Sequence, residues 1–247
     1  MDPRIIKNYD PQHHNITNEF LFETNDWDLV ELNFNIDIKK IQEWYNTLEN
    51  QYSHLKFGFN ENLQKLNVET SKQMVEDGYC GYYCGPIEGI TLAWTEEKYE
   101  PLPPSEQCNV DLFPEVDITK FRNETRILSK LRFGYFDYLI NLLGEDAWKK
   151  AIVTIHHPGM YIRQHIDSKD LKLHIPIHSN ENALFHFGKD RDRSYHMKVG
   201  KAYILNTADW HGTSNESDDR FKIHTISRIK QHAMQHVLSL TNENTNI

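Results

Sequence analysis

His165 and Asp167 stand two residues apart, and in an extended segment side chains at i and i+2 point to one face. One imidazole and one carboxylate so placed can meet a single ion. A second imidazole would complete two histidines and one carboxylate on one face of an octahedral divalent iron, with positions left for small ligands. His211 is the candidate for that role, because it follows the strand-like run Ala202 to Leu205 and is itself followed, nine residues on, by Arg220. An HxD triplet alone occurs by chance in many chains. The order HxD, distant histidine, arginine is more specific. His186 and His196 are rivals to His211, since strand alternation can turn either inward, but neither has an arginine at matching spacing in a following strand. The chain has 14 histidines, and His156, His157, His178 and His224 are expected to line a pocket or the surface.

Arg220 suggests the small ligand. A guanidinium grips a carboxylate through two parallel charge-assisted hydrogen bonds, as the distal end of a keto-diacid such as 2-oxoglutarate would require. If Arg220 opens the last strand, an antiparallel return brings it to the cavity that holds His211. The alternative is a solvated charge beside Asp218 and Asp219.

These residues need a scaffold of strands. From Ala151 onward short β-type runs follow one another: Ile152 to Ile155, Leu171 to Ile177, Leu184 to Phe187, Ser194 to Met197, Ala202 to Leu205 and Phe221 to Ile226. So many strands in so short a stretch predict a mainly β protein with flanking helices, its core a jelly roll or double-stranded β-helix of cupin type. Before residue 150 the period is helical. Ile38, Ile41, Trp44, Tyr45 and Leu48 form a stripe behind an Asp37 cap, predicting a helix to about Tyr52. A second helix is expected from about Thr119 to Leu143, with Gly144 at its stop and Gly134 as an interruption. Residues 1–150 are then an N-terminal helical and irregular elaboration packing on a core of 151–230, and 231–247 a tail or short helix. The stretch Gly78 to Pro114, rich in Gly, Pro and Tyr, is expected to cover the substrate, with Tyr79, Tyr82 and Tyr83 as contacts.

Composition narrows the function. At 247 residues and 38% hydrophobic, one substantial core can be buried without oligomerising. A net charge of -9 and the lack of a basic stripe argue against nucleic-acid binding. No run approaches the roughly 18 apolar residues of a membrane helix, and nothing near Met1 combines a basic start with an apolar run, so a protein that is not exported is expected. Three cysteines, Cys80, Cys84 and Cys108, lack paired metal or disulfide spacing, so reduced thiols and a cytoplasmic setting are expected.

The segment from about Ala151 to Arg228 resembles the aspartyl/asparaginyl β-hydroxylase-like branch of the 2-oxoglutarate oxygenases, which includes proline hydroxylases. The pieces that carry the resemblance are Thr154-Ile155-His156-His157-Pro158-Gly159 leading to His165, Lys172-Leu173-His174-Ile175-Pro176, Gly200 to Asn206, and His211 with Asn215 and Arg220. The resemblance implies that His165, Asp167 and His211 bind Fe(II), that Arg220 pairs with the distal carboxylate of 2-oxoglutarate, and that Thr154 and His174 make further cosubstrate contacts. Lys172 replaces an arginine of the animal aspartyl hydroxylases and ranks below Arg220 as a carboxylate partner, being a point charge. Asp167 stands where those enzymes carry glycine, which implies an ordinary three-residue iron site and hydroxylation, not halogenation. The implied reaction couples 2-oxoglutarate and O2 to hydroxylation of a C–H bond, with ascorbate in support. The implied substrate is a free amino acid or a residue in a peptide or protein. Arg163, Tyr161 and Tyr82 are the candidate substrate contacts.

Two other functions fit the same residues. One is a cupin-like metal enzyme that does not use 2-oxoglutarate, and the other a non-catalytic binding domain on a jelly-roll scaffold.

Overall fold

The computed structural model describes residues 4–7, 9, 20–21, 26–57, 88–94, 125–167 and 171–245. Two largely antiparallel sheets face each other. The larger has eight strands in the order β1 (Ile5–Ile6), β2 (Leu29–Glu31), β12 (Tyr203–Asn206), β9 (Leu171–His178), β14 (Lys222–Ile229), β7 (Lys149–His156), β4 (Glu88–Thr91) and β3 (Lys56–Phe57), with only β1 and β2 parallel. The smaller runs β11 (Arg193–Tyr195), β10 (Ala183–Phe187), β13 (His211–Asn215) and β8 (Met160–His165). This is the expected double-stranded β-helix with flanking helices.

Alternation along the strands sorts side chains between two layers. On β7, β9 and β12, Val153, Ile155, Leu171, Leu173, Ile175 and Ile204 enter a large apolar core on the helix-covered side. Their neighbours turn inward, where Leu29, Tyr203 and Leu205 of the large sheet meet Phe185 and Phe187 of the small one. Helix α1 (Ile38–Tyr52) covers the outer side with Ile41, Trp44, Tyr45 and Leu48, and Asp37 caps it by accepting from the Lys40 amide at 3.1 Å. Each of these side chains contributes roughly 1.5–3 kcal/mol by leaving water. Trp44 stacks at 4.1 Å on Phe136 of helix α2 (Gly134–Leu143).

Helix α2 is shorter than its apolar stripe predicts. Phe133 is extended, Gly134 has φ +56°, and β6 (Arg126–Ile127) pairs with β5 (Ala93–Trp94). Ile127, Leu128 and Leu131 reach the same core from that strand and the turn after it. Strand pairing with β5 outweighs the helical period here, and the Leu128 amide donates to the Leu92 carbonyl at 3.0 Å. Residues 119–124 lie outside the described set, as do Tyr79, Tyr82, Tyr83 and the three cysteines. Strands β1 to β4 come from the first 150 residues and are integral to the large sheet. The C-terminal segment holds α3 (Met234–Ser239) and α4 (Asn242–Thr245). Among the described residues no helix is long and apolar enough to cross a membrane.

Candidate metal centre

The two histidines meet because their strands pair. His211 opens β13 directly opposite His165 at the end of β8, which sets their ring centroids 4.3 Å apart. The register slips between His211 and Thr213, so Arg163 and Gln164 together oppose Gly212, a β-bulge beside the site. Asp167 lies just past β8, its amide held by the Thr207 carbonyl at 2.9 Å. Its carboxylate oxygens stand 3.9 Å from His165 Nε2 and 3.7 Å from His211 Nε2.

Among the described residues, these three form the group whose ligand atoms, all within 4.8 Å of one another, could hold a metal ion. The donor set fits Fe(II). Each imidazole donates its Nδ1 proton to a backbone carbonyl, His165 to Arg163 at 2.8 Å and His211 to Asp209 at 2.9 Å. That tautomer leaves Nε2 as the metal-facing lone pair. Burial, and then the neighbouring His211, lower the His165 pKa, favouring the neutral ligand form. Burial alone would raise the Asp167 pKa, but hydrogen bonding to His211 and the Lys172 ammonium hold it well below the usual carboxylate range. Lys172 donates to the Asp167 carboxylate.

Deeper between the sheets lies a polar layer. Lys222, at the start of β14, is fully buried; its ammonium bonds Thr213 Oγ1 and sits 3.9 Å above the Phe185 ring. Burial lowers its pKa. Among the described residues, His174 and His224 have no hydrogen-bond partner for either ring nitrogen, and His156 has none for Nδ1. Burial first, then nearby lysine ammonium groups, keep all three neutral. Orphaned donors and acceptors are costly inside a protein. Such a layer suits a polar, anionic ligand, and no described carboxylate perturbs these three histidines or Lys222.

Arg220 is not brought to this cavity. Its side chain is 51% exposed and pairs with Glu181 at 2.7 Å. It lies in the turn before β14, where its amide donates to Ser217 Oγ and its carbonyl accepts from Asn215. The last strand opens at Lys222, one residue past the start of the expected run and two past Arg220, and Lys222 is the cation that alternation turns inward. Lys222 went unrecognised in the sequence because a lysine opening a strand ordinarily marks the solvent face. The signal was there, since Ile223 is the neighbour that joins the core.

The other expected residues are dispersed. Thr154 is buried on β7, donating to the His224 carbonyl at 3.4 Å. Tyr161 stacks under the Arg191 guanidinium at 4.7 Å. Arg163 is buried, and Tyr82 lies outside the described residues. The rivals are engaged elsewhere: His186 bonds Ser194, Ser214 and Arg191, and His196 bonds Ser179.

Comparison with known proteins bears on the same segment. The family described as aspartyl/asparaginyl beta-hydroxylase matches residues 135–229, less than half of the chain but all three metal ligands. The chain is an Fe(II)- and 2-oxoglutarate-dependent oxygenase. No curated protein matches this oxygenase. Solved structures similar to it include a protein with a double-stranded β-helix domain from Klebsiella pneumoniae, 23% identical over 34% of this chain and 68% of its own, with a TM-score of 0.28. A prolyl-4-hydroxylase from Pseudomonas putida is 8% identical over 87% and 99%, with a TM-score of 0.40. An oxidoreductase of the 2OG-Fe(II) oxygenase family from Burkholderia pseudomallei is 11% identical over 82% and 96%, with a TM-score of 0.35.

Proposed function

We propose that this oxygenase hydroxylates an unactivated C–H bond of an amino acid, free or within a peptide, with His165, Asp167 and His211 holding iron and Lys222 binding the distal carboxylate of 2-oxoglutarate. The observation that carries the proposal is the buried Lys222–Thr213 pair beneath the three ligands. Thr213 is two residues along β13 from His211 on the same face, roughly 7 Å deeper. That span is comparable to the length of a five-carbon diacid whose keto-acid end faces the metal.

Bound iron supplies oxygen activation and C–H oxidation. The chain supplies the rest. Lys222, taking up a proton with the incoming diacid, neutralises the inner carboxylate, and Thr213 Oγ1, which accepts from Lys222 and donates to the Leu184 carbonyl at 2.8 Å, aims the ammonium. His174 and Thr154 line the same inward face, and the Phe185 ring keeps water from the ion pair. Arg163, buried beside His165, supplies a guanidinium suited to an amino-acid carboxylate.

The test is succinate formation from 2-oxoglutarate under Fe(II), O2 and ascorbate, with free amino acids and with aspartyl, asparaginyl and prolyl peptides. Stoichiometric succinate and a product heavier by one oxygen atom are expected for one substrate class. Metal binding without any 2-oxoglutarate consumption would favour the cupin-like alternative.

A further inference from the structure

The loop that delivers His211 is gripped by residues outside the matched segment. Asp28 is 1% exposed, yet carries two guanidinium partners: Arg4 Nε at 3.0 Å from Oδ1, and Arg193 with Nε at 2.7 Å from Oδ2 and Nη2 at 3.2 Å from Oδ1. Arg4 then reaches across to Asp209 Oδ2 at 2.9 Å. Asp209 accepts the Trp210 amide at 2.7 Å with its side chain, and its carbonyl takes the Nδ1 proton of His211. A parallel line runs along the backbone. The Asn206 amide donates to the Asp28 carbonyl at 3.0 Å and its side chain to the Trp27 carbonyl at 3.0 Å, one residue before Thr207, whose carbonyl holds the Asp167 amide.

We infer that Arg4, anchored by Asp28 and bridging to Asp209, is a positioning residue that presets the 206–210 loop so that Asp167 and His211 are aligned before metal arrives. The inference rests on the metal-centre reading above. Arg4 touches no ligand itself and acts through Asp209. The physical reason is geometric: an imidazole donor must be aimed as well as present, and the group that receives its far proton sets that aim. A bifunctional guanidinium between two carboxylates holds the loop against rotation in a way a single ammonium cannot. Asp28 keeps its two-pronged contact with Arg193 when Arg4 is shortened, so the sheet edge stays intact while the grip on the loop is lost.

The experiment measures Mn(II) affinity of the full chain by calorimetry, Mn(II) being an oxygen-stable octahedral stand-in for Fe(II), together with thermal unfolding without metal. Arg4→Ala and Asp209→Asn are each expected to weaken Mn(II) binding by about 10- to 100-fold while leaving the metal-free melting temperature close to wild type. The double variant should be no weaker than the stronger single one, because both remove one contact. Arg4→Lys should recover part of the loss. Wild-type affinity in both single variants, or a lowered metal-free melting temperature with unchanged affinity, would overturn the inference and leave Arg4 merely structural. Absence of Mn(II) binding by the wild type would overturn the metal-centre reading itself, and this inference with it.

Discussion

Lys222 and Arg220 are two residues apart and face opposite environments, and exchanging their roles changes what substitution should do. Lys222→Met keeps the length of the side chain and removes a buried charge that the fold does not need, so stability should hold or rise. 2-Oxoglutarate affinity should fall about 10- to 100-fold, the loss of a charge-assisted hydrogen bond worth about 1.5–3 kcal/mol. Arg220→Ala should leave affinity within about twofold, because an exposed pair such as Arg220–Glu181 contributes little. Titration of both variants with 2-oxoglutarate checks this, and the opposite ranking would return the role to Arg220. The metal ligands were legible from residue types and spacing, since HxD and a later histidine carry their own chemistry. The exposed setting of Arg220 was not legible because spacing along the chain did not locate the first residue of β14, which a turn closed by Ser217 and Asn215 sets at Lys222.

Between β8 and β13 the bulge opposite Gly212 sets where the two histidines meet. A Cβ on Gly212 would collide with the Gln164 side-chain oxygen and lie 2.7 Å from the Ile162 carbonyl. Gln164 has no slack, since its side-chain amide donates to the His186 and Gly188 carbonyls at 3.2 and 2.8 Å. Gly212→Ala should therefore force the strands apart, costing about 1–3 kcal/mol of stability and weakening metal binding in parallel; denaturant melts and Mn(II) titration measure both. At this scale the sequence was informative where alternation was strong, as in β7, β9 and β12. It was silent on β8 and β13, whose mixed residues Tyr161-Ile162-Arg163-Gln164 and Gly212-Thr213-Ser214 offer no apolar period. Helix α1 was clear from its stripe and cap, while Leu128 and its neighbours share a helical period with residues that tertiary pairing turns into a strand.

The whole molecule encloses an unusual load of neutral histidine. His156, His174 and His224 are buried with pKa values pushed well below the ordinary 6.5, and His186 is lowered to about 4 by burial and then Arg191. The unfolded chain binds protons at these sites below about pH 6.5, and the folded chain does not, so unfolding becomes easier as pH falls, by up to about 1.4 kcal/mol per pH unit for each such group. Urea midpoints should drop steeply from about pH 6.5 towards 4 and climb more gently above about 7, where buried Lys222, its pKa lowered, is the group left to titrate, and His224→Gln should flatten the acid slope. The N-terminal segment cannot be trimmed from this unit without cost, since β1 and β2 edge the sheet and grip the ligand loop. Nothing in its composition foretold that, because Arg4, Asp28 and Asp209 are far apart in sequence and meet only through β2 pairing with β12. The measurement that tests the central claim most directly is an anaerobic calorimetric titration of 2-oxoglutarate into the protein with and without Fe(II). One saturable site that tightens at least about tenfold with iron, and is lost in His211→Ala, is the predicted result. Binding that ignores iron, or no binding at all, would contradict it.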